Sequence, residues 1–167
     1  MKYLAAISAL ALALSALGTP ALAQPVPRPV PAQQPDVKQV KAEVIVLHAT
    51  NEGKGIDPNI GDLPQLKKPP FSAYDTYKLL DRPTLTLARG QVASHKLPND
   101  GKLNVELKDI LVEKDSEKLV VGASIDQPDG KRFVEMTVTS ARGGIFFVAG
   151  PAYKGGILVL AIRVGVP

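Results

Sequence analysis

The chain has 167 residues with a formal net charge of +4, 45% hydrophobic residues, no cysteine and no tryptophan. The absence of cysteine excludes disulfide stapling, thiol catalysis, thiolate metal sites and a lipid-bearing cysteine. Aromatics make up only 5% and the basic residues are interspersed with acids, which argues against stacked-sugar or nucleic-acid sites and for a chain held by an aliphatic core.

Residues 1–23 read as a cleavable export signal. Lys2 supplies the positive start, Leu4 to Leu17 is an uncharged apolar run, Gly18 and Pro20 break it, and Ala21-Leu22-Ala23 is a small-x-small cleavage site. The run is shorter than the roughly 20 apolar residues of a membrane span, so no membrane span is expected in the mature form. Export to the periplasm or the extracellular space is the expectation. Removal of the segment takes away Lys2 and leaves a net charge of +3.

Residues 24–41 form a proline-rich linker, with prolines at 25, 27, 29, 31 and 35. Proline fixes φ and donates no hydrogen bond, which predicts an extended polyproline segment. Its Gln24–Pro35 part has a reach of about 35 Å. It serves as a spacer, or as a docking peptide for an aromatic groove.

Residues 42–167 are expected to be one β domain. Ala42 to Thr50 is the first strand, apolar on both faces and therefore covered on both. His48 shares a face with Val44 and Val46. Asn51 to Pro70, rich in glycine and proline, reads as a long irregular loop and a candidate binding region, with Leu63 and Leu66 pinning its middle to the core. Phe71 to Asp81 fits either a short helical turn capped by Ser72 or a strand over Thr76 to Leu80.

From Thr84 onward the pattern is repetitive β. Thr84 to Leu87 alternates, and Val92 to Leu97 leads into the turn Asn99-Asp100-Gly101. Leu103, Val105 and Leu107 alternate with polar residues, and a phase change predicts a bulge near Lys108 and Asp109. Lys114 to Lys118 is read as a charged turn. Leu119, Val121, Ala123 and Ile125 alternate again, and Pro128-Asp129-Gly130 turns the chain into Val134, Met136 and Val138. Arg142-Gly143-Gly144 precedes a strand Ile145 to Val148, Gly150 to Gly156 is read as a loop, and Ile157 to Val164 is a nearly continuous apolar strand. Seven or eight short strands joined by tight turns predict an antiparallel β-sandwich, with a small β-barrel as the alternative. The last strand is expected to be central, beside the first, closing the domain and hiding its edges.

The candidate chemistry is sparse. His48, His95, Glu52 and Asp57 carry no metal-ligand spacing. Ser94 and His95 are adjacent, and adjacent strand residues face opposite ways, against a nucleophile–base pair. Asp57, Asn59 and Asp62 form an oxygen-rich stretch that misses the EF-hand pattern but leaves an irregular calcium loop as a candidate. Glu106 and Glu135 sit mid-strand at polar positions and could face outward together as a glycosidase pair, but alternation alone predicts solvated surface acids and no tryptophan is present to bind sugar. Arg142-Gly143-Gly144 and Lys154-Gly155-Gly156 precede strands rather than helices and read as turns, not phosphate loops.

The reading is an exported, non-enzymatic β-sandwich acting as a protein-binding or structural module of the envelope or secreted space. It takes no cofactor, binds no nucleic acid and uses a surface of Phe71, Tyr74, Tyr77, Phe147 and Tyr153. The alternatives are an exported hydrolase or carbohydrate-active protein and a calcium-dependent module. The sequence carries no signal for oligomeric state.

Overall fold

A computed structural model describes residues 38–114 and 116–167. The expected export signal, and the expected linker as far as residue 37, lie outside the described residues. No helix among them is long and apolar enough to cross a membrane.

The described chain is mostly β and holds ten strands: β1 Gln39–Thr50, β2 Gly55–Ile56, β3 Thr76–Asp81, β4 Thr84–Ala88, β5 Val92–Lys96, β6 Lys102–Glu113, β7 Ser116–Asp126, β8 Arg132–Ala141, β9 Ile145–Tyr153 and β10 Gly156–Val166. They form two sheets packed face to face, a sandwich and not a closed barrel. One sheet runs β5-β6-β7-β8. The other runs β2-β3-β1-β10-β9, with β4 also paired to β1.

The pairing of first and last strands holds: β1 and β10 are antiparallel from Lys41↔Val166 to Ala49↔Ile157. The other edge of β1 is shared. Gln39 to Glu43 pairs with β4, and Val46 to Thr50 pairs with β3. Arg82-Pro83 interrupts the ladder between them, where the missing proline N–H costs nothing and the Val44 N–H donates to the Pro83 carbonyl at 2.8 Å. Gly156 has no substitute where β10 starts, because a Cβ there would run into the carbonyl oxygen of Ala49.

Alternation along β1 and β10 feeds two cores. Val40, Ala42, Val44 and Val46 join Leu158, Leu160, Ile162 and Val164 against Leu103, Val105, Leu107, Leu119 and Val121 of the facing sheet. The opposite faces carry Ile45, Leu47 and Ala49 with Val159 and Ala161, and meet Ile60, Leu63, Leu66 and Tyr77 instead. The second core has no sheet above it, and the segment from Asn51 to Tyr74 covers it.

That segment is more regular than its glycines and prolines predict. It contains β2, parallel to β3, and 3-10 turns at Pro58–Ile60, Pro64–Lys67 and Phe71–Ala73. Phe71–Asp81 thus holds both alternatives in series, a turn and then β3. The turn begins at Pro70 without a side-chain cap, so Ser72 is not its cap. Leu63 and Leu66 are buried as expected, and Ile60 joins them. The base of the lid is tied by crossed bonds: the Asp75 N–H donates to Asn51 Oδ1 at 3.0 Å and the Gly53 N–H to Asp75 Oδ1 at 2.9 Å.

Other expectations need correction. The bulge falls between Leu107 and Asp109 as read, but β7 starts at Ser116, inside the expected charged turn. Gly150 to Tyr153 is strand, not loop, because β9 is an edge strand and its Pro151 needs no ladder partner on the open side. Only Lys154 and Gly155, both at positive φ, make the turn into β10. The β1–β10 pairing lies in mid-sheet and closes nothing: β2, β5, β8 and β9 remain at sheet edges, and β4 pairs on one side only.

Truncation of the lid at its centre tests its structural weight. Leu66→Ala, at a site 1% exposed, is expected to cost about 2–5 kcal/mol of stability in urea unfolding. A loss under about 0.5 kcal/mol would place Leu66 outside the core.

Candidate functional site

The five aromatic residues read as a binding surface fall at two places in the fold. Tyr77 is 2% exposed and its hydroxyl donates to the Phe71 carbonyl at 2.7 Å. Phe71 packs on Phe147 with ring centroids 5.3 Å apart, and Tyr74 packs against the same lid core. These four side chains join lid to sheet. Tyr153 belongs to the other core and meets His48 edge-on at 5.2 Å. Phe71, Tyr74, Tyr77 and Phe147 mark the seam between lid and sheet, where Tyr77 is buried and the other three are half-buried.

The titratable candidates are likewise committed. The His48 Nε2–H donates to the Tyr153 carbonyl at 2.9 Å, while His95 Nε2 pairs with Asp81 Oδ2 at 2.9 Å. Ser94 Oγ donates to Asn104 Oδ1, away from its neighbour His95. His48, Glu52 and Asp57 do line one cleft of about 290 Å³ beside β2 and β3, which His95 does not reach. There Glu52 pairs with Lys54 at 2.5 Å, and that bond lowers its pKa. Asp57 caps the first 3-10 turn, accepting from the Asn59 N–H at 2.9 Å, which lowers its carboxyl below the ordinary range. Asp57 and Asn59 therefore make a turn motif, and Asp62 lies beyond it, lining an open cleft together with Asp57. Among the described residues no three His, Asp or Glu side chains gather to hold a metal ion.

One residue that sequence reasoning missed holds the lid from outside. Arg82 Nη2 donates to the carbonyls of Asn59 and Ile60, both at 2.8 Å, and Arg82 Nη1 lies 3.8 Å from Glu43. Its neighbour Pro83 marks a break in the strand pattern, but nothing local indicates that the guanidinium turns toward a segment more than 20 residues away.

The other cleft lies on the outer face of the four-stranded sheet. Strand register sets its rows: Val92, Glu106, Gly122 and Thr137 in one, Ser94, Asn104, Ser124 and Glu135 in the next. Between them runs an open cleft of about 220 Å³ lined by Val92, Asn104, Glu106, Lys108, Arg132 and Glu135, with Gly122 and Ser124 on its floor. Glycine makes the depth: a Cβ at position 122 would fall 2.7 Å from Lys108 Cε, whose side chain lies across the strand and donates to Thr137 Oγ1 at 3.1 Å. At one end Arg132 holds Asp126 Oδ1 at 2.5 Å and Glu135 Oε2 at 2.7 Å, and Asn104 donates to Asp126 Oδ2 at 2.7 Å. The Arg132 bond, with Asn104 behind it, lowers the Asp126 pKa. At the other end Glu106 enters no ion pair among the described residues, and Val92 is 59% exposed. Glu106 and Glu135, read as outward carboxylates, thus share one cleft, with Glu135 already bound to Arg132.

Such a cleft offers fixed cationic and anionic groups, one carboxylate without an ion pair and an apolar rim. It suits capture of a polar side chain or main-chain segment. Comparisons with protein-family models, curated proteins and solved structures find no match.

Two measurements check these assignments. Burial, with the nearby Tyr74 adding to it, pushes the Tyr77 phenol up to about 12 from an ordinary value of 10. A pKa raised on folding gives stability that is complete below pH 10 and is lost as pH rises toward 12. Urea midpoints at about pH 9 and about pH 11 should differ more in the wild type than in Tyr77→Phe, and equal differences would contradict the buried phenol. The thermal midpoint should not move when calcium or a chelator is added, and a calcium-dependent rise would restore the Asp57–Asp62 site.

Proposed function

We propose that this chain is an exported, non-enzymatic β-sandwich that binds a protein partner of the cell envelope or secreted space through the outer face of its four-stranded sheet. The observation that carries this reading is the division of labour among polar groups. The histidines and Glu52, Asp57 and Asp75 of the lid are engaged in internal bonds, while the cleft around Gly122 holds Glu106 with no ion pair among the described residues beside an exposed Val92. The export signal and the polyproline spacer of the sequence support placement outside the cytoplasm and presentation at a distance from an attachment point.

The hydrolase reading draws on one observation, the meeting of Glu106 and Glu135 in one cleft. Glycoside hydrolysis needs two carboxylates facing each other across the sugar. Here one of the pair is bound to Arg132, and among the described residues no aromatic side chain lines the cleft.

One substitution separates the readings. Tagged exported protein should capture one reproducible, stoichiometric partner from native envelopes, and Glu106→Lys should reduce that capture at least about tenfold with the unfolding curve unchanged. Capture indifferent to Glu106→Lys would move the interface elsewhere. Turnover of a glycan or peptide by the wild type that Glu106→Gln abolishes would replace binding with hydrolysis.

A further inference from the structure

The edges of the two sheets are not equally protected. An open strand edge offers unpaired N–H and C=O groups to any extended chain, and proteins blunt such edges with proline, lysine, bulges or shortness. β2 has two residues and β5 has five, ending in Lys96. β9 carries Gly150-Pro151, and its ladder to β10 is irregular between Ile157 and Val159. β8 lacks these devices over most of its length. It runs for ten residues at the end of the order β5-β6-β7-β8, and its one irregularity lies at its start, opposite Ile125 and Asp126. From Phe133 to Ala141 it has no proline, glycine or lysine and a single charge, Glu135. Val134 and Met136 point into the sandwich core and are only half-buried there, as is Val138 beside them.

We propose that two copies of this protein associate by antiparallel pairing of β8 with β8 about a twofold axis, joining their four-stranded sheets into one of eight strands. The sequence of the strand is self-complementary in that arrangement. With the axis at Met136, Val134 lies opposite Val138 of the second copy and Met136 opposite Met136, which extends each half-covered apolar row across the junction. On the outer face Glu135 then lies opposite Thr137, so no like charges meet. A register centred on Glu135 would oppose two carboxylates, and one centred on Thr137 would set Ser140 against Val134. An isologous strand pair is a common route to a dimer because each edge satisfies the other. It would also place two Gly122 clefts on one continuous surface. The dimer does not depend on the binding reading, since a monomer could still capture a partner through its cleft.

Sedimentation of the exported wild-type protein over a concentration series tests the proposal. The expected result is a dimer that dissociates on dilution. Thr137→Glu, at an exposed position, sets a second carboxylate against Glu135 on both sides of the axis and should weaken dimerisation at least about tenfold, with an unchanged unfolding curve. Combining Glu135→Lys with Thr137→Glu restores opposite charges in that register and should recover the dimer. A wild type that stays monomeric up to about 1 mM overturns the proposal and leaves the edge to an extended segment of another protein. A dimer untouched by Thr137→Glu overturns it too, by placing the interface elsewhere.

Discussion

The structure depends on one ribbon, the antiparallel pair of β1 and β10 in the middle of its sheet. Both strands are apolar on both faces, with Val44, Val46, Leu158 and Leu160 on one side and Ile45, Leu47, Val159 and Ala161 on the other. A sheet with one apolar face needs one cover, whereas this ribbon needs two. The four-stranded sheet supplies the first. A domain of this length has no third sheet to supply the second, so the connection from β1 to β3 does so. That requirement explains why a segment rich in glycine and proline is pinned by Ile60, Leu63 and Leu66, closed at its base by Asn51 and Asp75, and clasped by Arg82.

The second cover also sets the character of the two outer surfaces. Long irregular loops commonly carry binding sites because a rigid scaffold presents them. Here the loop is part of the scaffold. Tyr77 is buried beneath it, Asp57 caps its first turn, Asp75 ties its base and Glu52 pairs with Lys54, while Lys78 lines the nearby cleft without an ion pair among the described residues. The four-stranded sheet has the opposite character. Its inner face is aliphatic, while its outer face is a lattice of polar groups whose depth comes from Gly122 and whose order comes from register. Polar and charged groups are concentrated on the face that the core does not need.

How much of this could be read beforehand follows the range of the signals involved. Period-two alternation placed Leu103, Val105, Leu107, Leu119 and Val121 on the core face, and Asn99-Asp100-Gly101 announced its hairpin, because both are local patterns. The bulge at Lys108 showed as a change of phase. The two-faced apolar pattern of the first and last strands pointed to their central pairing. Long-range placement left no such mark. Glycine and proline tell that a chain bends, not that it bends back over a sheet, so the lid read as a free loop and Tyr77 as a surface ring. Gly150-Pro151 read as loop because an edge strand tolerates what an inner strand does not. Alternation sent Glu106 and Glu135 outward, yet only the register of three strands brought them into one cleft.

Residue-by-residue hydrogen exchange of the protein tests the claim that the ribbon needs both covers. The account predicts that the amides of Asp57, Ile60 and Leu66, which donate to Tyr77, Asp57 and Leu63 carbonyls, exchange slowly and in step with those of Ile45 and Leu47 in β1. Exchange of residues 57–74 at the rate of a free loop, with β1 and β10 still protected, would contradict it. In that case the lid would be dispensable to the core, and available for binding after all.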